Sequence, residues 1–318
     1  MTAPLSPSDT LPTEMPVVRL IPKANARAIR HGYPWVYANE MVLDRRTKGL
    51  APGTLARLQD ANRAPMGLVA FNPLSKIAAR MLDISVDAVI DQSWFEARIA
   101  RAQALRSKFY DAPYYRLIHA EADGLPGVVI DRFGDTLVVQ PNAAWADGLL
   151  EPLCAALVAV TGAPNVLKNA GGRTRSLEGL DDVSGVLAGV LPDGPLPVPM
   201  NGATYMADLT GGQKTGLFYD QRPNHAFVAS LARGARVLDV FAHVGGFGLA
   251  ALAAGAQSAL AVDGSAPALE LAQAGAEAAA GSDGHAPGPV RAGGIRPTLS
   301  PGQVPWGGRS AGDRAPSR

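Results

Sequence analysis

The chain has 318 residues, a formal net charge of +1 and a hydrophobic fraction of 47%, which sets two or three domains with sizeable cores as the expectation. The near-zero charge excludes bulk electrostatics as the source of any nucleic-acid affinity, which must come from a local patch. A single cysteine, Cys154, excludes a disulfide framework and fits a reducing, cytoplasmic setting.

Residues 1–15 (MTAPLSPSDTLPTEM) have neither a charged n-region nor an apolar h-region, so they do not read as a signal peptide. Their prolines, serines and threonines predict a disordered leader. No uninterrupted apolar run reaches the ~18 residues of a membrane span, so no membrane partner is expected. Residues 16–86 alternate short apolar runs with turn residues: VVRLI, HGYPWVY, GTLARLQD, PMGLVAFN and KIAARML. That spacing predicts a small β-rich barrel. Between Met15 and Asn39 there is no acid, while Arg19, Lys23, Arg27 and Arg30 are basic and His31, Tyr33, Trp35 and Tyr37 follow. Cations for phosphates beside flat rings for unstacked bases suit RNA, and Arg27, Arg30 and Trp35 are the candidate contacts. The competing reading is a solvated charged face next to core aromatics, because Trp35 and Tyr37 alternate with Val36.

Residues 87–200 read as a central α/β domain. Over 92–109, Phe95, Ile99, Ala102, Leu105 and Phe109 recur at helical spacing, with Arg98, Arg101, Arg106 and Lys108 off that stripe as a wet face. VVID and TLVVQ flank Arg132–Asp135 as a hairpin. Glu121 and Asp123 precede it and read as solvated loop acids. A helix from about Trp145 to Val160 buries Cys154 as an inert thiol, and the strand NVLKN follows. Residues 171–199 read as loops plus a short strand pair, with Arg173 and Arg175 as optional RNA contacts.

From residue 203 the chain approaches its densest chemistry. A strand, ATYMADL, leads into GGQKTGLFYDQR, where Lys214, Phe218, Asp220, Gln221 and Arg222 crowd one loop. Pro223 opens a helix ending near Gly234. RVLDVF then reads as a buried strand, Gly245, Gly246 and Gly248 mark a strand-to-helix turn, and Ala259–Val262 form a second strand that stops at Asp263. In a βαβ unit such glycines let the backbone approach a ligand, and the acid at the second strand's tip can accept hydrogen bonds from ribose hydroxyls. The turn is not GxGxxG, and Asp239 near the end of the first strand would repel a pyrophosphate. A ligand with a cationic amino group, S-adenosylmethionine, suits it better, which argues against a nicotinamide-dependent oxidoreductase. The plain structural reading is a βα turn whose glycines only allow tight packing.

The stretches GQKTGLFYDQRPN, LDVFAHVGGFGL and VDGS closely resemble the bacterial class I methyltransferase family that modifies C5 of a cytosine in large-subunit ribosomal RNA. The resemblance runs from about residue 16 to about residue 280. It implies an α/β multidomain protein: a β-rich, PUA-like RNA-binding barrel, a small central α+β domain and a Rossmann-like methyltransferase domain. It further implies S-adenosylmethionine as cofactor and ribosomal RNA as partner, without a metal. By the same resemblance, Phe218 and Asp220 lie against the donor, Asp239, Gly245 and Gly246 hold its amino-acid end, and Asp263 with Ser265 meets its ribose. His243 and Val244 depart from the aromatic and hydroxyl residues usual at the tip of the turn.

Residues 281–318 carry nine Gly and six Pro among 38 residues, with five Arg and no Lys or Glu, which predicts a disordered tail. The methyltransferase domain, 201–280, is then incomplete, with two strands, and the chain reads as C-terminally truncated by a frameshift or a misplaced gene end. The family's Asp-Pro-Pro and cysteine motifs are absent. Its chemistry adds a thiolate to C6 so that C5 can attack the sulfonium methyl. Cys154 lies in the wrong domain, so no catalytic residue is assigned. The alternative function is a non-catalytic RNA-binding protein, with the Arg-containing tail as a nonspecific contact.

Overall fold

The computed structural model describes residues 15–211, 216–280 and 290–294. Lys214 and the 1–14 leader lie outside these. The chain divides into two compact units, residues 1–200 with 207–223, and residues 201–206 with 224–318.

The first unit opens on β1 (Val17–Arg19), β2 (Trp35–Tyr37), β3 (Thr54–Gln59), β4 (Pro65–Phe71) and β5 (Ile77–Asp83). They form one sheet in the order β1-β3-β4-β5-β2, so each of the five apolar runs becomes a strand. Strand β4 is buried on both faces, which is why it reads as a continuous apolar run. Side chains alternate along a strand. Val69 and Phe71 enter a core with Val18, Val36 and Leu58. Leu68 and Ala70 enter a second core with Phe95, Ile99, Leu117 and Ile130.

That second core belongs to a sheet ordered β10-β9-β8-β7-β6. Its strands are β6 (Tyr114–His119), β7 (Val128–Phe133), β8 (Thr136–Pro141), β9 (Asn165–Lys168) and β10 (Gly185–Ala188). The β7–β8 hairpin closes on Phe133 opposite Thr136, with Gly134 at φ 64°, so the two-residue turn demands the left-handed conformation glycine supplies. Strand β10 pairs with β9, so the strand pair expected within 171–199 does not form there. Helices Gln92–Arg106 and Leu150–Thr161 pack together over the core, where Phe95 and Trp145 stack at 6.1 Å. The first helix ends at Arg106, before the expected stop. Phe95, Ile99 and Ala102 are buried, but Leu105 and Phe109 are exposed.

The acids and arginines of this unit are less solvated than the sequence reading expects. Asp123 is 7% exposed, takes two bonds from Arg106 (2.8 and 2.6 Å) and accepts the His119 amide. Glu121 accepts from Trp35 and Arg80, and Arg80 also meets Glu178 at 3.0 Å. Arg98 lies over the Trp94 ring and pairs with Asp83. Arg175, a possible RNA contact by sequence, is 1% exposed and held by Pro141, Asp147 and Asp181. Each cation entering the interior meets a carboxylate there, because an unpaired buried charge is costly.

Strands β11 (Leu196–Met200) and β12 (Ala203–Ala207) lie where the chain passes to the second unit. That unit carries β13 (Arg236–Val240), β14 (Ser258–Asp263) and β15 (Val290–Gly294), parallel and in sequence order. Helices Gly246–Ala253 and Ala266–Ala280 connect them. The third strand corrects the expectation of a wholly disordered 281–318 and of only two strands. Its backbone pairs along β14 from Ala259↔Val290 to Asp263↔Gly294. Ala259 and Ala261 of β14 face the core, while Leu238, Val240 and Leu260 are exposed.

Candidate functional site

Parallel strands place their carboxyl ends together, and ligands of open α/β sheets bind there. After Val240 the chain turns through Phe241 (φ 61°), His243 (φ 50°) and Gly245 (φ 80°) before the helix at Gly246. Two non-glycine residues in the left-handed region within five positions mark stored backbone strain. Three anchors hold the turn. The Gly245 amide donates to Ala242 O at 2.8 Å. The His243 amide donates to Asp263 Oδ2 at 2.8 Å. The Tyr205 hydroxyl donates to Gly246 O at 3.1 Å.

Asp239 is 6% exposed, and its Oδ2 accepts the Gly248 amide at 2.9 Å. It thus caps the following helix, where a negative charge also meets the positive end of the helix dipole. Burial pushes its carboxyl up from the ordinary value of 3.8; the Gly248 and Phe247 amides pull it back, and the Asp263 charge adds to the rise. A Cβ on Gly248 would stand 3.4 Å from that carboxylate.

Asp263 ends β14 half-buried. Its Oδ1 accepts the Ser265 amide at 2.9 Å, and Ser265 Oγ in turn accepts the Ala268 amide at 3.3 Å. Each carboxylate oxygen therefore holds one turn amide and keeps acceptor capacity for a second donor. A Cβ on the adjacent Gly264 would meet nothing within 4 Å, so the space beside the acid is open. Burial lowers the His243 pKa and the Asp263 charge opposes it. Under the turn, His225 meets Phe247 edge-on at 4.5 Å, and a Cβ on Gly246 would lie 2.6 Å from His225 Nε2. The acceptor at the strand tip and the open space beside it fit a ribose, while the Cβ directions of Gly245 and Gly246 are filled by Ala272, Leu249 and His225. Asp239 lies near the end of β13, Gly245 and Gly246 in the turn that follows it, and Asp263 with Ser265 at the end of the adjacent strand β14.

Phe218 and Asp220 belong to the first unit, on and beside the short turn Tyr219–Gln221. Phe218 is half-buried and Asp220 exposed. The anchor of that segment, missed by sequence reasoning, is Tyr219. It is 4% exposed and bonded to Arg132 O at 2.9 Å, and burial drives its phenol well above the ordinary range. The tyrosine carries no local pattern that would have revealed a partner 87 residues away. Arg222 spreads over the Tyr110 ring at 4.3 Å and donates to Tyr114 O at 3.0 Å.

Of the RNA candidates, Arg27 and Arg30 stand exposed on and at the end of helix Ala26–Arg30, where Arg30 reaches Asp60 at 2.5 Å. Trp35 is half-buried, and its indole N–H donates to Glu121 Oε1 at 2.8 Å, so that donor is committed to the joint with the second sheet. Cys154 packs against the core, and burial raises its thiol pKa.

Residues 18–83 match the model of a PUA-like domain, and residues 156–288 that of an S-adenosylmethionine-dependent methyltransferase. The chain is 34% identical over 262 residues to "Ribosomal RNA large subunit methyltransferase I" of Aliivibrio fischeri, covering 81% of this chain and 66% of that protein. It is 36% identical over 254 residues to the Shewanella denitrificans protein of the same name, covering 78% and 63%. The chain thus spans just under two thirds of these curated relatives' length. Among solved structures it is similar in fold to a Streptococcus mutans protein assigned as a SAM-dependent methyltransferase, at TM-score 0.71 and 20% identity over 87% of this chain and 70% of that one. A second methyltransferase-like structure, solved with SAH, matches at TM-score 0.70 and 20% identity, over 83% and 67%. The chain therefore combines a PUA-like domain with the fold of an S-adenosylmethionine-dependent methyltransferase, the cofactor class its second family model specifies.

Proposed function

We propose that this chain binds S-adenosylmethionine on the β13–β14 turn and acts in methylation of large-subunit ribosomal RNA, with cytosine C5 as the target implied by the resemblance. One observation carries the donor assignment. The Asp263 carboxylate is pinned by the His243 and Ser265 amides at the carboxyl end of β14, with acceptor capacity left beside open space. In this reading Asp263, with Ser265 beside it, takes the ribose hydroxyls. Gly245 and Gly246 offer backbone to the amino-acid end, and the Asp239 charge faces the ammonium. Arg27 and Arg30 meet RNA phosphates. The names of the relatives and the two family models support the activity. When bound, the donor supplies an electrophilic methyl on a sulfonium; the residues named here bind and orient it.

A second reading has its own observation. The chain's one cysteine is partly buried against the core of the first unit, and burial raises its thiol pKa, which disfavours the thiolate needed for addition to cytosine C6. That observation favours a reading in which the chain binds donor and RNA without turnover. Transfer of a labelled methyl group to a large-subunit ribosomal RNA transcript separates the two. Incorporation at cytosine C5 supports the enzyme reading, while none, with RNA and donor both bound, leaves the binding protein.

A further inference from the structure

The first unit holds a cleft of about 280 Å³ between the end of helix Gln92–Arg106, strand β6 and the segment around Tyr219–Gln221. Phe109, Tyr110, Tyr115, Arg116, Asp220 and Arg222 line it. Phe109 lies past the helix end and is 71% exposed. Tyr110 and Tyr115 stack at 5.5 Å, 20° from parallel, and the Arg222 guanidinium lies 4.3 Å from the Tyr110 centroid. This wall is flat. Its cations are largely spent: Arg116 meets Asp131 at 2.8 and 3.1 Å, and neighbouring Arg106 is held twice by Asp123. A neutralised cleft suits a base better than a phosphate. Its volume falls just below the range of about 300–1,000 Å³ for pockets that enclose drug-sized ligands, so it suits one ring system rather than a whole cofactor. Asp220, exposed at the lining, offers a carboxylate acceptor to an exocyclic amino group.

We propose that this cleft holds one unstacked, amino-bearing base of single-stranded RNA, stacked on Phe109 and bonded to Asp220. Sequence-specific RNA recognition works this way, with splayed bases on aromatic rings and hydrogen bonds to their edges. The proposal rests on the RNA-substrate reading and adds a second contact region to the basic face near Arg27.

The test uses the full chain with fluorescein-labelled oligocytidine and oligouridine, read by anisotropy, beside calorimetry with S-adenosylmethionine. The wild type binds oligocytidine more tightly than oligouridine. Phe109→Ala, which removes an exposed ring, weakens oligocytidine about tenfold and leaves donor affinity unchanged. Asp220→Asn narrows the cytidine preference. Ultraviolet cross-linking to 5-iodocytidine RNA, mapped by mass spectrometry, labels the peptide spanning Phe109–Arg116. Unchanged RNA affinity in Phe109→Ala, or cross-links confined to residues 16–83, would overturn the proposal. So would loss of donor rather than RNA affinity, since the cleft would then serve the donor's adenine. If wild type binds no donor but Phe109→Ala still loses RNA, the donor assignment fails and this proposal stands.

Discussion

At the scale of residues, Asp239 and Asp263 sit near the carboxyl ends of adjacent parallel strands but carry different loads. Asp263 is half-exposed and holds two amides, so its removal should cost the donor one charged hydrogen bond, about 1.5–3 kcal/mol. Asp239 is buried, and burial raises its carboxyl pKa. A group whose folded pKa exceeds its unfolded value binds more protons when folded. Its stabilisation is full below about 3.8 and is lost as pH rises through the folded value. Ionised Asp239 therefore costs stability at neutral pH. Asp239→Asn keeps an oxygen for the Gly248 amide and removes that penalty. Urea unfolding at pH 7 should show the variant at least as stable as wild type, with the gap shrinking toward pH 4, while it binds donor more weakly. A variant markedly less stable at pH 7 would show that the charge itself is needed at the cap. His243 has the opposite sign: burial lowers its pKa, so its contribution is present above about 6.5 and is lost as pH falls through the folded value.

At the scale of elements, strands that are apolar throughout were legible and partnerships across the chain were not. RVLDVF and Ala259–Val262 read directly as the strands β13 and β14, but the burial expected of the first fails: Leu238 and Val240 are exposed and Asp239 alone is buried there. The third strand, VRAGG, has no apolar run and is recruited by β14. Trp35 pairs with Glu121 and Arg80 with Glu178 over 86 and 98 residues, distances no local pattern encodes. The stripe on helix Gln92–Arg106 was read correctly up to Ala102 and failed at Leu105 and Phe109, where packing ends. The joint around Arg80 gives a prediction at this scale. Glu178 is 4% exposed and accepts from Arg80, Asn72 and Ser75. Glu178→Ala strands a buried cation that retains only the 3.4 Å contact to Glu121, and should cost about 3 kcal/mol in urea unfolding. A loss under about 1 kcal/mol would mean water replaces the carboxylate. Helix Ala266–Ala280 offers a sharper sign test. In an open helix Gly→Ala gains up to about 1 kcal/mol. A Cβ on Gly275, however, would stand 2.7 Å from Thr204 O, a backbone atom that cannot swing aside. Gly275→Ala should therefore destabilise by about 1–3 kcal/mol in the same measurement, and a stabilised variant would show that helix and strand are further apart.

At the scale of the whole molecule, the chain pairs a first unit rich in buried ion pairs with a second unit built on small alanine-rich contacts. Cleft, joint and basic helix face lie in the first unit; the turn assigned to the donor lies in the second. The central claim is that this turn holds S-adenosylmethionine through Asp263. Isothermal titration of the full chain with S-adenosylmethionine, beside Asp263→Ala and with NAD as control, tests it most directly. The account predicts saturable binding to wild type, a dissociation constant raised about tenfold or more in the variant, and no comparable affinity for NAD. An equal affinity in Asp263→Ala, or tighter binding of NAD than of S-adenosylmethionine, would contradict it.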